Sequence, residues 1–125
     1  MKIIRIFELI RPKQWVKNLF VFAPILFAGK LMDLPMLLTN ILAFASFCCV
    51  SSSVYVLNDI IDVESDRVHK KKRYRPIAAG YVSIKQAKIL FVFLIVLTAV
   101  LSSMLPVLFL ITISAYLVNN LLYSF

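Results

Sequence analysis

Charged residues are absent from two long stretches of the chain and crowded into the segments between them. Between Asp33 and Asp59 lie 25 uncharged residues, Leu34 to Asn58, and from Ile89 to Phe125 there are 37 more. A helix crossing a bilayer needs about 20 such residues. The first stretch predicts one span, residues 34–57. The second would be about 55 Å long as a single helix, against a hydrocarbon core of about 30 Å. Pro106, just after Ser102-Ser103, interrupts it, so it predicts two antiparallel spans, residues 84–104 and 106–125. A shorter run, Asn18 to Gly29, holds 12 uncharged residues and includes Pro24. Begun at Trp15, with Lys17 reaching back to the interface, it predicts a short first span at 15–29. A re-entrant or interfacial segment is the alternative there. In residues 1–14, Lys2, Arg5 and Glu8 break the apolar run, while Ile3, Ile4, Phe7 and Ile10 can share one helical face. That pattern predicts a cytoplasmic or interfacial arm. Residues 58–83 form the polar loop.

Composition agrees with a membrane protein. Of 125 residues, 62% are hydrophobic and only 16% charged, and mean hydropathy is +0.91. A soluble domain carries about 25% charge. The expected fold is therefore an all-α polytopic transmembrane helical bundle. Two adjacent cysteines, Cys48 and Cys49, make no disulfide framework. They lie mid-span among Ala43, Ala45, Ser46 and Ser51-Ser52-Ser53, small residues that let helices approach closely.

The net charge is +8, and its distribution sets an orientation. Lys2, Arg5, Arg11, Lys13 and Lys17 precede the first span. Arg67, Lys70, Lys71, Lys72, Arg73, Arg75, Lys85 and Lys88 lie between the second and third. Only Lys30 falls in the intervening turn. The positive-inside rule places the N terminus and the long loop in the cytoplasm, with Lys30, Asp33 and Pro106 outside. Four spans return Phe125 to the cytoplasmic side. The bases are read as facing membrane and phosphate, with no nucleic-acid partner.

The chemistry sits in the polar loop. Residues 58–66 carry four acids and no base, and residues 67–75 carry six strong bases and no acid. At 100° per residue Tyr55, Asn58, Asp59, Asp62, Asp66 and His69 share one helical stripe, while Glu64 points away. Clustered carboxylates repel unless a cation neutralises them. Magnesium takes one or two carboxylates and completes its shell with water and phosphate oxygens. The bases that follow could hold the remaining phosphate charge. A metal–diphosphate site is one reading, and acids pairing with bases on a solvated loop is the other. His69 has no second His or Cys beside it, which favours a hydrogen-bonding role over metal ligation.

Asn58-Asp59-x-x-Asp62-x-x-x-Asp66-Arg67, continued by His69, Lys72 and Arg75-Pro76-Ile77-Ala78-Ala79-Gly80, resembles the first aspartate-rich signature of the UbiA superfamily of intramembrane prenyltransferases. Arg11-Pro12-Lys13-Gln14-Trp15-Val16-Lys17-Asn18 resembles a narrower branch, the decaprenyl-phosphate phosphoribosyltransferases of cell-wall arabinan synthesis. Lys70 departs from the pattern, since relatives often have proline after the histidine. The resemblance implies a bundle of about nine spans, of which this chain supplies about four. The chain then reads as the N-terminal part of such an enzyme, inactive alone and completed by a C-terminal half or by self-association. Asn119, Asn120, Tyr123 and Ser124 resemble the approach to a second aspartate motif.

By the same resemblance, Asn58, Asp59, Asp62 and Asp66 organise Mg²⁺ around a diphosphate, with Asp59, Asp62 and Asp66 as the catalytic acids. Asn58, Arg67, Lys72 and Arg75 contact the diphosphate, and Lys13 and Lys17 hold a lipid phosphate. The implied partners are membrane lipid, phosphoribosyl diphosphate as donor and a polyprenyl phosphate as acceptor. A prenyl diphosphate donor with an aromatic acceptor is the alternative within the superfamily. A rival outside it is a non-catalytic module binding anionic lipid, against which the acidic stripe argues by repulsion. A transporter subunit would need ionisable residues deep in its spans, and residues 34–57 and 89–125 have none. Trp15 and Tyr74 are expected as interfacial anchors, Gly80 as a turn, and Ser83 as the cap of the third span.

Overall fold

The computed structural model describes residues 3–29 and 32–124, without the side chains of residues 20, 21, 24, 25, 108, 123 and 124. Lys2 and Lys30, which enter the charge asymmetry, and Phe125, which ends the fourth expected span, lie outside the described residues. Helices take up 81% of the chain and no strand occurs among the described residues, so the fold is all-α. In order the chain forms α1 (Ile3–Ile10), a 3-10 helix (Pro12–Phe22), α2 (Ala23–Phe27), α3 (Leu34–Ile61) and α4 (Val63–Arg67). A 3-10 turn (Lys72–Tyr74), α5 (Ile84–Ser103) and α6 (Val107–Ser124) follow.

Two helices, α3 and α5, are long and apolar enough to cross a membrane, and α6 contains a shorter apolar stretch, Phe109–Leu122. At 1.5 Å per residue α3 is about 42 Å long, more than a hydrocarbon core of about 30 Å, which leaves length for tilt or for an end beyond the core. Asp33 caps its start, accepting from the Met36 amide, and Pro35 sits in the first turn, where its missing N–H is harmless. The far end carries the acidic stripe. It breaks at Asp62 (φ −90°, ψ 7°) and resumes as α4.

α3 packs most extensively on α5. Along α3 the buried residues are mostly small, with Ser46, Ser51, Ser52 and Ser53 buried beside Ala43, Cys48 and Val50. Lipid offers no hydrophobic drive for helix pairing, so close backbone approach over such residues supplies the attraction. Ser51 and Ser53 satisfy their hydroxyls on the carbonyls of Cys48 and Val50. At the opposite end from the stripe, Thr39, Asn40 and Ala43 of α3 line one groove with Leu105, Pro106 and Phe109. Asp33 and Pro106 therefore lie at the same end of the bundle. Further along, Phe47 meets Phe109 and Tyr116 edge-on, with ring centroids 5.4 and 5.6 Å apart.

The polar end has its own apolar core. Leu9 of α1, Val56 of α3, Val63 of α4, Ile77 and Val82 of the connecting turn, and Ala87 and Leu94 of α5 form one buried cluster. Gly80, at φ +85°, turns the chain where side-chain-bearing residues would be strained. Ser83 then caps α5 in a reciprocal box with Gln86, an arrangement worth about 1 kcal/mol. Part of the segment expected as a polar loop, residues 58–61, 63–67 and 72–74, is thus helical and lies over a packed floor.

The arm is not simply laid on a surface. Leu9 is fully buried and Ile10 packs on the same cluster, while Ile3, Ile4 and Phe7 are exposed. Arg5 stacks on Tyr81, 3.7 Å from the ring centroid. The segment expected as a short span is split between a 3-10 helix and α2. A 3-10 helix rises about 2.0 Å per residue, so Pro12–Phe22 is about 22 Å long, more extended than an α-helix of the same length.

Candidate functional site

Four charged side chains interlock at the polar end. Asp59 and Asp66, on the last turn of α3 and on α4, are each 2% exposed. Arg11 Nη2 donates to Asp59 Oδ1 at 2.7 Å. Arg75 Nη1 lies 3.4 Å from the same oxygen and donates to Asp66 Oδ2 at 3.1 Å. Burial penalises a lone carboxylate by several kcal/mol, and only well-placed, hydrogen-bonded partners offset that cost. Two guanidiniums against two carboxylates leave the cluster electrically balanced.

Local structure explains how each arginine arrives. Arg75 lies only nine residues after Asp66, so the chain must double back sharply. His69 brings this about: its Nδ1 accepts from the amides of Lys71 and Lys72, both at 3.1 Å. The 3-10 turn Lys72–Tyr74 follows, and Pro76 and Ile77 are buried behind it. Arg11 comes from 48 residues away. It follows the last residue of α1, with φ +54°, a conformation that costs a residue other than glycine about 1–3 kcal/mol. Pro12 then prevents α1 from continuing. The Arg11 guanidinium also lies over the Tyr55 ring, 4.8 Å from its centroid.

The rest of the N-terminal motif is pinned to α3. Ile10 is at the C-terminus of α1, where carbonyls lack helical partners; its carbonyl accepts from Ser52 Oγ at 2.7 Å. Trp15 Nε1 donates to the same Ser52 Oγ at 2.8 Å. Buried Asn18 donates from Nδ2 to Ser51 Oγ at 3.3 Å and to Cys48 Sγ at 3.7 Å. Side chains three apart eclipse in a 3-10 helix, which aims Trp15 and Asn18 at one face. Trp15 is thus a peg into α3 as well as an aromatic ring near the helix ends.

The sequence-derived site is divided by the structure. Asp59, Asp66 and Arg75 come together. Asp62 sits exposed at the break between α3 and α4, with no ion-pair partner among the described residues. Asn58 is half-buried and engaged in an interaction of its own. Arg67 is exposed and reaches Glu64 at 3.5 Å, and Lys72 is exposed at the start of its turn. Lys13 lines a groove of about 510 Å³ with Ile4, Phe7, Glu8, Arg11, Pro12 and Gln14. Lys17 is exposed elsewhere, because four residues along a 3-10 helix turn about 120° past the starting line. Asn120 donates to the Tyr116 carbonyl at 2.8 Å, and the side chains of Tyr123 and Ser124 lie outside those described. Arg11, Tyr55 and Ser52 are the contributors that sequence reasoning did not assign. The spacing of three between Pro12, Trp15 and Asn18 was the available signal.

Among the described residues no group of three or more His, Cys, Asp or Glu side chains is placed to hold a metal ion by itself. The donor set therefore does not fit a cage built from protein alone. It does fit magnesium held by one or two carboxylates, with phosphate and water completing the shell.

An all-helical integral membrane protein with a buried acid–base network at one end of its bundle is the class these features define. The chain belongs to the UbiA prenyltransferase family, whose sequence profile matches residues 19–125. It is 44% identical over 95 residues to a decaprenyl-phosphate phosphoribosyltransferase of Corynebacterium glutamicum, covering 74% of this chain and 29% of that protein. It is 41% identical over 120 residues to the protein of the same name in Mycolicibacterium smegmatis, covering 93% of this chain and 38% of the relative. Nodulation protein NoeC of Azorhizobium caulinodans is 45% identical over 76 residues, 61% of this chain and 24% of that protein. The chain thus spans well under half the length of these relatives.

Proposed function

We propose that this chain carries the first half of the active site of a polyprenyl-phosphate phosphoribosyltransferase. The donor is phosphoribosyl diphosphate and the acceptor a polyprenyl phosphate. The observation that carries this reading is that the Arg11–Asn18 motif is fastened to the same helix as the acidic stripe, through Asp59, Ser51 and Ser52. The motif that resembles the phosphoribosyl branch and the motif of the whole family thus form one constellation. The names of the Corynebacterium glutamicum and Mycolicibacterium smegmatis relatives support the same branch.

In this reading an acceptor phosphate oxygen bonds to the ribose anomeric carbon as the bond from that carbon to diphosphate breaks. Asn58, Asp59, Asp62 and Asp66 are the candidate holders of Mg²⁺, and Asp62 is the carboxylate among them with no arginine partner among the described residues. A bound Mg²⁺ supplies charge stabilisation for the departing diphosphate. Arg75, Arg67 and Lys72 supply hydrogen-bond donors to its oxygens. Lys13, beside the apolar walls of Ile4, Phe7 and Pro12, suits a lipid phosphate whose chain is apolar, whereas Lys17 faces elsewhere and does not line that groove.

The test uses the full-length protein that contains this segment, purified in lipid. One assay supplies Mg²⁺, phosphoribosyl diphosphate and polyprenyl phosphate, and a parallel assay supplies prenyl diphosphate with an aromatic acceptor. Product in the first assay alone is expected. Product in the second alone would reassign the chain to aromatic prenyl transfer. No product in either, with binding of anionic vesicles retained, would favour a lipid-binding module.

The site is proposed to face the cytoplasm, on the asymmetry of the basic residues. A cysteine introduced at Lys71 should then react with a membrane-impermeant reagent from the cytoplasmic side only, and one at Asp33 from the opposite side only. The two positions lie at opposite ends of the bundle. Reversed labelling would move the site to the other compartment.

A further inference from the structure

We infer that Asp59 serves as the anchor for Arg11 and Arg75 and is not a cation ligand, so that Arg11 is a positioning residue; Asp62 keeps the cation role given to it above. This rests on the proposed diphosphate site and divides its labour. Asp59 is 2% exposed, and one of its oxygens, Oδ1, takes both guanidiniums, at 2.7 and 3.4 Å. A cation drawing on that oxygen would have to displace two arginines that already satisfy it, and would leave them facing one another as like charges. Asp62 meets no such competition among the described residues and is open to solvent.

The backbone at Arg11 points the same way. An arginine stands where φ is +54°, a position that favours glycine. Its side chain offsets that strain by the 2.7 Å ion pair and the stack on Tyr55. Arg11 in turn keeps Asp59 seated, and Asp59 with Asp66 holds Arg75 between them, aimed from the basic run. Arg11 therefore acts on the anion through Asp59 and Arg75.

The test measures binding as well as turnover, with inorganic diphosphate and Mg²⁺ titrated into the full-length protein by calorimetry. Wild type should bind magnesium diphosphate. Arg11→Gln and Asp59→Asn should each weaken diphosphate at saturating Mg²⁺ by at least tenfold, with the half-saturating Mg²⁺ concentration unchanged within twofold. Asp62→Asn should raise that Mg²⁺ concentration at least tenfold. The Arg11→Gln/Asp59→Asn double variant should bind no worse than Asp59→Asn alone, because that substitution already removes the Arg11–Asp59 interaction. It also leaves no lone charge from that pair, so it serves where a single variant fails to fold. A purely structural role would lower the fraction of folded protein without changing either constant. A tenfold rise in the Mg²⁺ requirement of Asp59→Asn would make Asp59 a cation ligand and overturn the inference, as would additive losses in the double variant. No binding of magnesium diphosphate by wild type would overturn the diphosphate site itself, and this inference with it.

Discussion

Replacing Asp62 with asparagine should lower turnover by at least 100-fold, measured in the full-length protein with Mg²⁺ in excess. Asparagine keeps the size and one oxygen of the side chain but removes its charge. Asp62 is exposed at the α3–α4 break and has no arginine to balance among the described residues, so the substitution leaves no buried charge unpartnered. Folding should be nearly unchanged, and the loss should appear in the rate. A factor of 100 corresponds to about 2.7 kcal/mol of transition-state stabilisation, within the range of a single charged contact to a leaving group. Near-normal turnover would remove Asp62 from the site.

Arg75→Met should act the other way round, on stability first. Arg75 is the base that neutralises Asp66, and it shares Asp59 with Arg11. Removing it leaves a carboxylate that is 2% exposed with no ion-pair partner among the described residues. Breaking one side of such a pair costs about 3 kcal/mol or more. The expected result is a lower unfolding midpoint in detergent. Arg75→Met/Asp66→Asn should recover part of it, because the stranded charge is gone as well. A change below about 1 kcal/mol in the single variant would mean that the network is solvated and its geometry incidental.

Much of this site could be read from the sequence because a helix converts spacing into direction. The stripe from Asn58 to Asp66 followed from 100° per residue, and the structure keeps Asp59 and Asp66 on one side despite the break at Asp62. The two open readings of the charge run each hold for part of it. Asp59 and Asp66 pair with a base of the following run, and Asp62 does not. What the spacing could not give were contacts that depend on turns. Arg75 reaches Asp66 because the His69 ring folds the intervening loop. Arg11 reaches Asp59 because one residue adopts a left-handed conformation before Pro12. Neither event leaves a periodic trace. Trp15 was legible as an aromatic near an interface, but its bond to Ser52 required knowing that the segment winds with three residues per turn. The two long apolar helices were plain from uncharged length alone. The 3-10 course of Pro12–Phe22 was not, because its residues carry no apolar period that separates it from an α-helix.

That winding has a consequence for how the segment tolerates change in length. Trp15 and Asn18 meet Ser52 and the Cys48–Ser51 turn like teeth of a rack with a pitch of three. Inserting or deleting one residue between Arg11 and Trp15 would rotate everything beyond it by about 120° and shift it by about 2 Å. Both teeth would then leave the track while Arg11 stayed on Asp59. A change of three residues would restore the facing but slide the teeth about 6 Å along α3, roughly one α-helical turn. The segment therefore works as a spacer of fixed length, and substitutions at its exposed positions, such as Val16, should be accepted where a single-residue indel is not.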